Sequence, residues 1–145
     1  MSIELVPLCK VRVQIKPPIV VGTGPAGTRV ILELASVQAE GDRLRAEMVG
    51  AASADWILIG PEGTATLDVR ATLRTDDGAI VFVQFIGKYA SDASQDPDLT
   101  EGPLYVTPRF ETGDERYAWL NRVQAVGKGA ANPPDSVDFE WWEVR

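Results

Sequence analysis

Histidine is absent from the 145 residues. That removes His-based triads, His metal sites and the commonest proton carrier near neutral pH. There is one cysteine, Cys9. A lone thiol makes no intrachain disulfide, and there is no cysteine cluster for zinc. This usage is compatible with a reducing compartment, and the expected location is cytoplasmic. Long hydrophobic runs are missing as well. The opening MSIELVPLCKVRVQI has no basic stretch leading into an apolar one, and no apolar segment approaches a membrane span. Positive charge is scarce, with 14 Lys+Arg against 21 Asp+Glu and a net charge of −7. That balance opposes nucleic-acid phosphates and anionic lipid, so neither is expected as a partner. No carboxylates have calcium-loop spacing, and no Ser or Cys sits in a nucleophile motif. The expectation is a chain without metal or cofactor.

What is present is alternation. In segment 3–15, Val11, Val13 and Ile15 alternate with Lys10, Arg12 and Gln14, which marks a strand with one wet face. Pro17 and Pro18 end it. The stretch VILELASVQ (30–38) reads as a strand, and 43–49 pairs with it across Glu40-Gly41-Asp42. Residues 55–59 form a short strand before the turn Gly60-Pro61-Glu62-Gly63. Segment 64–75 is the clearest strand, with Leu67, Val69, Ala71 and Leu73 on one face and Asp68, Arg70, Thr72 and Arg74 on the other. Asp76-Asp77-Gly78 is a hairpin turn leading into the strand 79–89. Residues 91–103 are acidic, polar and aperiodic, and read as a mobile surface loop. Strand 104–113 follows, then one helical turn from Asp114 to Leu120 capped by Asp114. Residues 121–127 and 137–144 complete the set. Eight or nine strands, short turns and almost no helix predict a single all-β domain over 1–145, a closed barrel in preference to a sandwich.

VVGTGPAG (20–27) matches G-x-G-x-x-G through Gly22, Gly24 and Gly27. A dinucleotide site needs a strand before it, a helix after it and a parallel partner strand. Here prolines interrupt the approach and a β-branched cluster follows, so the expected structure is a Gly-Pro loop between strands.

Chemistry depends on strand parity. Asp68 and Arg70 share one face of their strand, and Tyr105, Arg109 and Glu111 share one face of theirs. Facing outward they are solvated charges, the default pattern. Facing inward, a carboxylate would move a proton and an arginine would hold a developing oxyanion. On that inward reading Asp68, Arg70 and Glu111 are the catalytic candidates. Trp56, Tyr105, Arg109, Tyr117, Trp119 and Asn121 are the substrate-binding candidates. Of Trp141 and Trp142, one faces the core and the other faces out.

Three stretches carry a resemblance: GTGPAGTR (22–29), ADWILIGPEGTATLDVRATLRTDDGAIVFVQFIG (54–87) and YVTPRFETGDERYAWLN (105–121). In order and spacing they are similar to the Domain of Unknown Function 3237 family, from about residue 5 to the C-terminus. The resemblance implies a calycin-like (lipocalin-like) β-barrel, commonly a homodimer. It places Trp56, Asp68, Arg70, Arg109, Glu111 and Asn121 in the family's recurrent pattern, with a departure at Gln84 and Phe85. No reaction attaches to the family. Three readings stand open. The first is a cofactor-independent isomerase, cyclase or lyase acting on a small carbonyl-containing metabolite. The second is a non-catalytic lipocalin-like carrier. The third is an interaction protein whose interior is filled, with Leu67, Val69, Ala71 and Leu73 inside.

Overall fold

The computed structural model describes residues 1–145 and contains ten strands. They are β1 (Leu5–Ile15), β2 (Ile19–Gly24), β3 (Gly27–Glu40), β4 (Arg45–Met48) and β5 (Ala54–Ile59). β6 (Ala65–Thr75), β7 (Ile80–Tyr89), β8 (Leu104–Glu111), β9 (Ala125–Asn132) and β10 (Ser136–Val144) follow. All pairings are antiparallel. β6 to β10 form a meander, β10 pairs with β1, and β1 pairs with β3 to close the ring. β4 and β5 share the place between β3 and β6, while β2 adds to the free edge of β3. The result is a closed eight-stranded barrel with two extra strands, and closure leaves few unpaired edges.

Parity follows the sequence pattern. Leu67, Val69, Ala71 and Leu73 are buried inside, and Asp68, Arg70, Thr72 and Arg74 lie on the outer face. Asp76-Asp77-Gly78 makes the β6–β7 turn, with Gly78 at φ +95°. Of the tryptophan pair, Trp141 is buried and Trp142 is half-buried on the other face.

Three stretches differ from expectation. The 20–27 stretch is a hairpin of β2 and β3 turning at Pro25-Ala26, with a register shift at Gly22 (φ +97°). Strand, in an antiparallel hairpin, stands where the dinucleotide fingerprint would have a helix. The turn capped by Asp114 continues as a 3-10 helix over Glu115–Arg122, so Asn121 is helical and the next strand starts at Ala125. Residues 91–103 have a built interior. The Tyr89 hydroxyl, the Thr100 hydroxyl (3.1 Å) and the Glu101 N–H (2.9 Å) all donate to Asp96, and Ala93 and Leu99 are buried.

The interior divides along the barrel axis. At the end nearer the 3-10 helix it is filled. Phe85, Phe139, Phe110 and Trp141 meet edge-to-face at centroid distances of 5.1–5.9 Å, and Leu120 of the helix is fully buried. β9 makes room for these rings. A Cβ on Gly127 would overlap the Trp141 indole, and one on Gly129 would overlap the Phe139 ring. The other end is not filled. We expect Gly127→Ala to cost about 1–3 kcal/mol, because backbone-anchored rings have nowhere to go. Chemical denaturation measures this, and an unchanged midpoint would show that the ring cluster yields easily.

Candidate functional site

The unfilled end holds a cavity of about 460 Å³. Its walls are apolar, with Val13, Leu34, Ile57, Leu67, Val69 and Phe85 among them. Asp98, Leu99 and Thr100 border it on one side, and the Pro133–Ser136 turn borders it on another. Phe85 and Phe139 belong to both cavity and aromatic cluster, so they form its floor.

One ionisable group lies in the wall itself. Asp55, on β5 beside Ile57, is only 4 % exposed and lines the cavity. Its Oδ1 accepts the Asp68 backbone N–H at 3.0 Å, and that is its one hydrogen bond from the protein. Burial pushes the Asp55 carboxyl up to about 7; the Asp68 N–H opposes this, and the Asp68 charge adds slightly to it. No lysine or arginine lines the cavity to offset the charge.

The backbone is arranged to make that hydrogen bond available. β5 and β6 pair at Asp55↔Val69 and again at Leu58↔Thr66, but the ladder parts between them. The Trp56 carbonyl instead accepts from the Arg29 guanidinium of β3 at 3.0 Å. Arg29 thus occupies the acceptor that Asp68 N–H would otherwise use, and the Asp55 carboxylate takes the freed donor. Outside the wall, Asp68 accepts from Arg70 (3.2 Å) and Gln84 (2.9 Å), and the Arg70 guanidinium lies 5.5 Å from the Trp56 ring centroid.

The candidates from the sequence are therefore relocated. Asp68, Arg70 and Trp56 form an outer-face cluster behind Asp55 and do not reach the cavity. Tyr105, Arg109 and Glu111 project outward from β8, because Val106, Pro108 and Phe110 take the inward parity. Tyr117, Trp119 and Asn121 lie at the opposite end of the barrel. Tyr117 donates to Asp77 (2.8 Å), Trp119 stacks with Arg43 (4.7 Å), and Asn121 exchanges two hydrogen bonds with the Thr112 backbone. These are fastenings of the helix that plugs the barrel. None of the nine lines the cavity. The arginine expected to hold an oxyanion is likewise not among the residues lining the cavity.

Asp55 was not singled out by the sequence, because both faces of 54–59 are largely apolar and parity there is unreadable. The available signal was a lone carboxylate opening a five-residue run that is otherwise apolar.

Comparison with known proteins agrees with the fold. The profile of the family described as "Protein of unknown function (DUF3237)" matches residues 3–144. A UPF0311 protein of Rhodopseudomonas palustris is 28 % identical over 128 residues, covering 81 % of each chain. The hydroalkoxylation enzyme phnH of Penicillium herquei is 30 % identical over 89 residues, 59 % of this chain and about half (48 %) of that one. Among solved structures, a β-barrel-like protein of Acinetobacter baumannii AYE superposes with a TM-score of 0.83 at 29 % identity, covering 100 % of this chain and 98 % of that one. An enzyme from Penicillium herquei superposes at 0.71 with 21 % identity, covering 99 % and 94 %, a likeness of fold.

Two outcomes follow from the site. Below about pH 4 folded and unfolded chains both hold the Asp55 proton, and burial of the carboxyl carries no ionisation cost. Between about pH 4 and pH 7 only the folded chain keeps it, so this group's contribution lowers stability as pH rises, and above that the loss is constant. Asp55→Asn should therefore match the parent near pH 4 and exceed it at pH 8 by on the order of 4 kcal/mol, read from urea denaturation. A variant less stable than the parent at pH 8 would contradict this. Arg29→Met lets the Asp68 N–H return to the Trp56 carbonyl and takes that donor away from Asp55. The Asp55 titration midpoint should then move upward, and a midpoint that stays or falls would show that Arg29 does not hold the ladder open.

Proposed function

The chain belongs to the DUF3237 family, and from that premise we propose that it is a cofactor-independent enzyme that moves a proton on a small molecule held in the barrel cavity. The observation that carries this is Asp55, a carboxyl near neutrality in an apolar wall. One of its oxygens is fixed by a backbone N–H, and the other accepts no hydrogen bond from the protein. A group whose proton affinity matches the surrounding pH gives and takes protons with least penalty. An apolar cavity also keeps water from competing for it.

The reaction class is addition, cyclisation or isomerisation. The fungal relative's name describes addition of an O–H across a double bond, and the same chemistry suits this cavity. The Asp55 carboxyl protonates one alkene carbon. The substrate's own hydroxyl oxygen bonds to the other carbon, and its proton returns to the Asp55 carboxylate. One C=C and one O–H become one C–O and one C–H, with the enzyme restored and no change of oxidation state. Carbonyl isomerisation would use the same carboxyl, taking a proton from carbon and returning it elsewhere. No arginine takes part.

A carrier role is favoured by the apolar lining alone. It predicts that solvent extraction of purified protein releases a compound identical before and after incubation. A homodimer and a cytoplasmic location complete the proposal and rest on the family resemblance and cysteine usage.

The test uses an alkenyl phenol offered to the parent, Asp55→Asn, Asp55→Ala and Asp68→Asn proteins. Ring closure should fall by about 10²–10⁴-fold on losing the Asp55 carboxyl, the usual worth of a general acid–base. Asp68→Asn should stay within about tenfold, since its backbone N–H remains. Closure by both Asp55 variants at the parent rate would refute the assignment.

A further inference from the structure

We infer that the cavity selects an uncharged, largely apolar molecule carrying a single hydroxyl at one end, and turns anions away. This rests on the reading of Asp55 as the cavity's working group, and it adds the class of molecule that group meets.

The charges around the cavity are all of one sign. Asp55 lies in the wall, and Asp98 and Asp135 stand exposed at its border. The elements packed about Asp55 turn their other charges away. β3 presents Leu32 and Leu34 inward, while its Glu33 faces out and pairs with Lys16 at 3.9 Å. β6 presents Leu67 and Val69, while Asp68 and Arg70 pair with each other outside. Arg29 is spent on the Trp56 carbonyl. A carboxylate or phosphate entering would pass two carboxylates and lie beside a third with no cation to meet it, and an unpaired buried charge is heavily penalised.

A cation is drawn by these carboxylates but loses its hydration inside. An ammonium brings three N–H donors, and the wall supplies one free carboxylate oxygen. That oxygen can accept two hydrogen bonds, so at least one donor would be stripped of water without replacement. A hydroxyl needs one partner, and Asp55 serves it in either protonation state: the carboxylate accepts from it, and the carboxyl donates to it. The remaining lining asks for apolar surface, and about 460 Å³ is room for a small organic molecule.

Three probes of one shape separate these cases: 2-naphthol, 2-naphthoate and 2-naphthylmethylammonium, titrated calorimetrically into the full chain at pH 7.5. We expect 2-naphthol to bind at least about tenfold more tightly than either charged probe. In Asp55→Asn the gap between 2-naphthol and 2-naphthoate should shrink by about fivefold or more, as the repelling charge is gone. Naphthoate or ammonium binding as tightly as naphthol would overturn the inference. So would no naphthol binding at millimolar concentration, or an unchanged gap in Asp55→Asn. These are binding readings, so loss of the alkenyl-phenol reaction would strike the proposed catalysis and leave this selectivity standing.

Discussion

A carboxyl group held inside an apolar barrel, with a single backbone N–H as its protein partner, is the constraint on which the rest of the site depends. Left in an ordinary wall, Asp55 would have no hydrogen bond at all, because an intact β5–β6 ladder uses every backbone donor. The parting of that ladder supplies the donor, and Arg29 occupies the Trp56 carbonyl that the parting frees. Two buried polar groups are thus satisfied by one displacement, with the carboxylate anchored as a by-product. Burial of the carboxyl costs stability near neutral pH, and the anchoring N–H offsets part of that cost.

The barrel's two ends divide the labour. At the end closed by the 3-10 helix, four aromatic rings interlock above the glycines of β9, and Leu120 seals the opening. That filled half is the stable floor against which the open half keeps its shape. At the other end the side chains that reach inward, Asp55 apart, are mainly aliphatic and leave space between them. The segment 91–103, gathered round Asp96, brings Leu99 to the cavity border. A packed floor, an apolar wall and one anchored carboxyl give a cavity with few polar contacts, in which proton affinity is set by burial.

Much of the fold was legible because period two is hard to counterfeit. Leu67 to Leu73 against Asp68 to Arg74 announced both the strand and its buried face, and Asp76-Asp77-Gly78 announced its turn. The 20–27 hairpin is hard to read from sequence because glycine and proline mark loops and bulged hairpins alike. The helix end is equally hidden, because Asn121 acts through its side chain on Thr112, a contact no local pattern shows. The site was much less legible. Polar residues in recurrent positions, such as Trp56, Asp68 and Arg70, drew notice, yet they work from outside the wall. Asp55, the group proposed to move the proton, sits in a strand whose two faces are both largely apolar, and its hydrogen bond depends on where an arginine 26 positions earlier lands.

The central claim is that burial sets Asp55 near neutrality. The direct measurement is a ¹³C NMR titration of its side-chain carboxyl in the ligand-free protein, assigned by its loss in Asp55→Asn. A midpoint within about one unit of pH 7 is the result this account requires. A midpoint near 4, the value of a solvated aspartate, would mean that the carboxyl is hydrated and that the cavity does not hold it as a proton-transfer group.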